Sequence, residues 1–195
     1  MKRALLLVVA VSLAACAGTM GQAAEEVPQQ EDGQLFLDAA EPVDFRRLQA
    51  LLPETAVGLP RTGVEGDREG FGGMYVAYAQ GTYEGPAGTD GAAPRVDLKV
   101  TDLVGTDMAA MLTDAWTTTS VDREGDHDYE RTVRVYGNPG YETYDTLARR
   151  GAFQVMVAGR FLVEAGGSGV GDDQLREVLR AAGFRALEGL RDEGR

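Results

Sequence analysis

Cysteine occurs once in this chain of 195 residues, at Cys16, so no disulfide can close within it and no cluster of thiolates can hold a metal. Histidine also occurs once, at His127, and Lys2 and Lys99 are the only lysines. Basic residues are outnumbered, 19 against 31 acidic, giving a net charge of -12. That balance argues against nucleic acid, whose phosphates need cationic surface. It argues equally against a polybasic contact with anionic headgroups. It suits a solvated monomer. Long apolar runs are missing too. The one present, Ala4 to Leu13, is interrupted only by Ser12 and falls well short of the roughly 20 residues a spanning helix needs.

The start of the chain has a definite order. Lys2 and Arg3 supply positive charge, the apolar run follows, and the small residues Ala14 and Ala15 precede Cys16. Charge, apolar stretch and small cleavage site make a signal peptide. An ordinary secretory signal that happens to contain a cysteine, or a buried cytoplasmic segment, are the alternatives. Leu13-Ala14-Ala15-Cys16 resembles the lipobox of bacterial lipoproteins. The resemblance implies a diacylglyceryl group on the Cys16 thiol and cleavage between Ala15 and Cys16. It also implies acylation of the new amino terminus in many Gram-negative species. A thiolate suits the attachment because it is a good nucleophile near neutral pH. Two acyl chains anchor stably where one does not. The residue after the cysteine is Ala17, not the aspartate that tends to retain such proteins at the inner membrane. The resemblance therefore implies the outer membrane, with the body facing the periplasm.

Loss of residues 1–15 removes Lys2 and Arg3 and makes the chain still more acidic. Residues 16–34 carry no aromatic residue after the lipidated cysteine and read as a flexible tether. A chain of that length spans roughly 20–25 Å end to end. Residues 35–190 read as one α+β domain, large enough for a core without disulfides, and 191–195 as a tail that frays.

Within the domain, Asp44 caps a short helix with Phe45, Leu48, Leu51 and Leu52 on one face. Residues 59–73 are charged and Gly-rich, a loop or an irregular edge strand. Met74 to Tyr83 reads as a strand. Arg95 to Thr101 alternates cleanly, with Val96, Leu98 and Val100 inward, as in a half-solvated antiparallel strand. A second helix, capped by Thr106 or Asp107, carries Met108, Met111, Leu112 and Ala115 on its apolar face, with Trp116 close by. Strands 131–136 and 141–147 flank the turn Gly137-Asn138-Pro139-Gly140. Strands 153–157 and 161–165 flank Ala158-Gly159-Arg160. Asp172 caps the last helix, which buries Leu175, Val178 and Leu179 and ends at Gly183. The expected fold is an antiparallel sheet covered by about three helices. Its element order loosely resembles the α/β/α sandwiches of the PsbP/Mog1 type, and the segment 151–170 is similar to parts of bacterial envelope proteins to which no chemistry is assigned.

Candidate sites are few. Asp122, Glu124, Asp126 and Asp128 alternate around Gly125 and could offer oxygen ligands to calcium, although the spacing is not that of an EF-hand. A solvated acidic loop explains them equally well. A Ser-His-Asp triad would need His127 beside Ser120 or Ser168, and Gly166-Gly167-Ser168-Gly169-Val170 fails the nucleophile-elbow pattern at Val170. The glycines from 166 to 171 lead from strand to helix as a phosphate loop does, but Asp172 and Asp173 at the helix start would repel a phosphate. Seven tyrosines fall mostly on strands, where packing explains them. The expectation is a lipid-anchored envelope protein with a non-catalytic binding or accessory body and no cofactor. The membrane is its partner through Cys16, together with an envelope protein or small ligand. A carboxylate-dependent hydrolase or a carrier of apolar ligands is the alternative.

Overall fold

Strict alternation builds the centre of the sheet. Along β4 (Arg95–Asp102), Val96, Leu98, Val100 and Asp102 are buried while Arg95, Asp97, Lys99 and Thr101 face the other side. The computed structural model describes residues 40–71, 74–88 and 93–194, all within one compact unit, Leu35–Arg195. The signal, Cys16 and the tether lie outside the described residues. The remaining strands are β1 (Thr55–Ala56), β2 (Leu59–Phe71), β3 (Met74–Glu84), β5 (Asp122–Glu124), β6 (Asp128–Val135), β7 (Asn138–Asp145), β8 (Arg150–Val157) and β9 (Phe161–Ser168). They form one nine-stranded sheet in the order β1-β2-β3-β4-β9-β8-β7-β6-β5, every neighbour antiparallel. Two meanders are thus joined edge to edge, β4 against β9.

Among the described residues the helices that accompany the sheet are α1 (Phe45–Gln49), α2 (Asp107–Thr118), α3 (Asp172–Arg180) and α4 (Phe184–Gly189). The first three match the expected helices, and α4 adds a fourth. On one face Leu48 and Leu52 from the α1 segment, Leu175, Val178 and Leu179 from α3, and Phe184 and Leu187 from α4 pack with Val96, Leu98, Val100, Phe153, Val155 and Val163. Fully burying such a side chain is worth about 1.5–3 kcal/mol. On the opposite face α2 sets Ala109, Leu112 and Trp116 against Leu103, Met156, Leu162 and Val76. Helices therefore lie on both faces of the sheet.

Several expectations are corrected. The inward stripe of α2 is Ala109, Leu112 and Trp116, so Met108 and Met111 of the expected apolar face are exposed, 49% and 61%. The helix is apolar on more than one side, and periodicity alone does not choose its phase. Of the two readings of residues 59–73, the irregular edge strand holds: Leu59–Phe71 is a strand with a register shift between Arg61 and Gly63. The acidic segment 122–128 is a hairpin, because Gly125 N donates to the Asp128 carbonyl at 2.8 Å. The turn expected at 137–140 sits earlier. Tyr136 and Gly137, with φ of 51° and 85°, make the two-residue loop, and β7 starts at Asn138. Left-handed conformation at both loop residues matches the twist of a hairpin. The N-cap of α3 is Gly171, whose N–H donates to Gln174 Oε1 at 2.8 Å, and Asp172 is the first helical residue. Residues 191–194, expected to fray, are tied to the body: Glu41 N donates to the Gly194 carbonyl at 2.8 Å, and Arg47 pairs with Glu193.

Candidate functional site

α2 covers only part of its sheet face. The remainder is polar, and its side chains are bonded to one another across the strands. Thr82 Oγ1 donates to Asp97 Oδ1 at 2.6 Å, and Arg95 reaches both Asp97 at 3.0 Å and Glu84 at 2.9 Å. Gln154 donates to Glu164 at 2.7 Å across β8 and β9.

At the β5–β8 end this face forms an open cleft of about 590 Å³. Arg123, Asp128, Glu130, Thr143, Asp145 and Arg150 line it. Glu130 lies on its floor between two donors, the Tyr141 hydroxyl and the Arg123 guanidinium. The hydrogen bond from Tyr141, then that from Arg123, holds the Glu130 carboxyl below the usual glutamate range. The same bond pushes the Tyr141 phenol up. Asp128 and Asp145 are direct cross-strand partners, and Asp145 Oδ1 accepts from Ala148 N at 2.7 Å. Such a surface offers charged hydrogen-bonding groups of both signs to a polar ligand.

The opposite face carries a second polar network, and this one is structural. Glu142 is buried and receives Arg131 at 3.2 Å and Arg176 at 3.1 Å. Arg176 also donates to the Tyr129 hydroxyl at 2.8 Å, and that hydroxyl donates to Asp172 at 3.0 Å. Burial lowers the Arg176 pKa, but Glu142, Tyr129 and Asp172 outweigh it and the net direction is up. Burial likewise pushes Asp172 up, and the Tyr129 hydroxyl and Arg176 more than reverse it, leaving the carboxyl below its ordinary value. The Tyr129 phenol is pushed up by burial and by its bond to Asp172. The network fastens α3 to β6 and β7.

The residues singled out from sequence separate. Cys16 and Ala15 lie outside the described residues. Asp122 and Glu124 point to the α3 face of β5, in register with Arg131 and Tyr129. Asp128 points to the other face, and Asp126 is exposed in the turn between. Among the described residues no three His, Cys, Asp or Glu side chains converge to hold a metal. The alternation sets Asp122 and Glu124, two of the four carboxylates considered for calcium, on the opposite face from Asp128, with Asp126 in the turn between. His127 is exposed, and its carbonyl takes the Thr146 amide and hydroxyl at 2.7 and 2.8 Å. Ser168 ends β9 in register with Arg95 and Arg150, while Ser120 precedes β5. The tyrosines split between faces. Tyr83 and Tyr144 enter the core and donate to the Pro53 and Val170 carbonyls at 3.0 and 2.7 Å, whereas Tyr78 and Tyr141 lie on the polar face.

Sequence reasoning missed the Tyr141–Glu130–Arg123 group and the Arg176–Glu142 pair. An arginine next to Leu175 on a strongly amphipathic helix was the available signal for the second. The first needs the register of three strands. Comparison with family models, with curated proteins and with solved structures gives no match.

Proposed function

We propose that the protein is a bacterial envelope lipoprotein, anchored through acylated Cys16 at the outer membrane, with a non-catalytic body that binds a protein or small ligand in the periplasm. The observation that carries this reading is the order of Met1 to Cys16: charge, apolar run, small residues, cysteine. Ala17 supports onward transport. The layering of the body, helices on both faces of an antiparallel sheet, supports the PsbP/Mog1-type kinship as the finer reading of the fold.

The geometry of the body favours binding over hydrolysis. A carboxylate pair that cleaves a glycosidic bond needs one member kept protonated near neutral pH. Glu130 is instead held ionised by Tyr141 and Arg123, and Glu142 is matched by two arginines. A carrier of apolar ligands needs enclosed apolar space, and the space between sheet and helices is occupied by fully buried Leu48, Phe153, Phe161, Leu175 and Leu187. The open polar cleft of β5–β8 remains as a surface for contact.

The anchor is tested with Cys16→Ser. The expected result is an unprocessed chain that carries no lipid mass. A variant that stays in the membrane fraction with the same mature mass as the parent overturns the reading.

A further inference from the structure

Among the described residues, β2 leaves most of one edge open. β1 pairs with it only at Thr55↔Pro60 and Ala56↔Leu59, and Arg61 N donates to the Glu54 carbonyl at 2.9 Å. From Gly63 to Phe71, β2 pairs with β3 alone among the described residues. Alternate amides and carbonyls along this stretch therefore face outward, which is the template another strand needs.

The side chains on this edge select what can add to it. Glu65, Asp67 and Glu69 alternate, so they share the face that also holds Gln80, Tyr78 and Val76 of β3. None of the three is ion-paired among the described residues. The arginines of the same strand are engaged elsewhere, Arg61 with Glu54 and Arg68 with Glu41. Of the cations on this face, Lys99 stacks over the Tyr78 ring at 4.5 Å, and Arg95 is paired with Glu84 and Asp97. Besides burial, the field of Glu65, Glu69 and Asp67 raises the Tyr78 phenol.

A second copy is a poor occupant. Antiparallel pairing of β2 with its own image keeps each face on its own side, so acid meets acid in every register centred between Glu65 and Glu69. Like charges directly opposite one another are destabilising. A strand with cations at every second position meets the same stripe favourably.

We propose that the open edge of β2 binds an extended segment of a partner protein by strand addition, the segment carrying arginine or lysine at alternate positions opposite Glu65, Asp67 and Glu69. This rests on the reading of the body as a binding domain, and is independent of the anchor. Main-chain hydrogen bonds supply affinity, and the acidic stripe supplies choice of partner and register.

The test uses the full chain in detergent and a short synthetic peptide of alternating arginine and valine. Calorimetry gives the affinity, and amide hydrogen exchange locates the peptide. The expected result is saturable binding that slows exchange at residues 62–70. N-methylation of alternate peptide amides abolishes it. The combined variant Glu65→Gln, Asp67→Asn, Glu69→Gln keeps the fold and weakens binding about tenfold or more, as loss of charge complementarity requires. Equal affinity for the N-methylated peptide, or the absence of saturable binding, overturns the proposal. Protection of β5 to β8 in place of β2 also overturns it, and leaves the binding reading of the body standing.

Discussion

Arg160 and Asp102 form a fully buried, two-pronged ion pair, with Nε to Oδ1 at 2.8 Å and Nη2 to Oδ2 at 2.7 Å. The other hydrogen-bond partners of the pair are backbone groups. Asp102 accepts the amides of Val43 and Val104 at 2.8 and 3.1 Å. Arg160 donates to the carbonyls of Leu190, Arg191 and Glu193. One pair thus joins the entry to α1, the end of β4, the β8–β9 turn and the segment after α4. Such satisfaction is what lets two charges stay away from water.

Removing one partner leaves the other buried and uncompensated. Asp102→Ala also strips the acceptor from two amides. The expected cost is about 3–5 kcal/mol, read as a lower urea midpoint. Replacing both partners by apolar residues of similar volume is expected to cost less than either single change. A single variant with an unchanged midpoint would refute the role given to the pair.

Gly167 lies where β9 passes under α3. A Cβ there would sit 2.7 Å from the Arg95 carbonyl and 3.1 Å from Leu175 Cδ2. Gly167→Ala is expected to destabilise by about 1–3 kcal/mol, as overpacking does. Thermal melting of the variant beside the parent measures it. This close approach gives Gly167 a packing purpose within the glycine-rich segment 166–171.

The sequence made some of this legible and hid the rest for physical reasons. The alternation of β4 and the stripe of Leu175, Val178 and Leu179 were readable because one face is wet and the other dry. The phase of α2 was not, since Met108 and Met111 on the outside are as apolar as Leu112 within. Strand β2 read as loop or edge because glycine and charge are what an exposed edge carries. Asp102 and Arg160 stand 58 residues apart, and local pattern carries no trace of their meeting. Of the candidate cleft, its acidic residues were visible, but the Tyr141–Glu130–Arg123 group depends on the registers of β5, β6 and β7.

Asp172 sets an acid limit. Its folded pKa lies below the unfolded value, so its contribution is complete above about pH 3.9, the ordinary aspartate value. That contribution is lost as pH falls through the lower folded pKa. Arg176→Met removes one of the groups that hold the carboxyl down. Its stability, followed by urea midpoints from neutral to acid pH, is expected to fall less steeply at the acid end than that of the parent. Parallel acid limbs would show that the ion pair contributes nothing there.

In the cleft, Tyr141→Phe removes the first of the two bonds that keep Glu130 ionised. The Glu130 carboxyl is expected to move up toward the ordinary glutamate range. Carbon-detected NMR titration of the side-chain carboxyl follows it directly. An unmoved titration would mean that Arg123 alone sets the charge.

The account turns on Cys16, and intact mass spectrometry of the protein extracted from envelopes addresses it most directly. The predicted species begins at Cys16, lacks residues 1–15 and carries the added mass of a diacylglyceryl group, with a further acyl chain where the host acylates amino termini. A chain that retains Met1, or one with a free thiol at Cys16, would contradict the central claim.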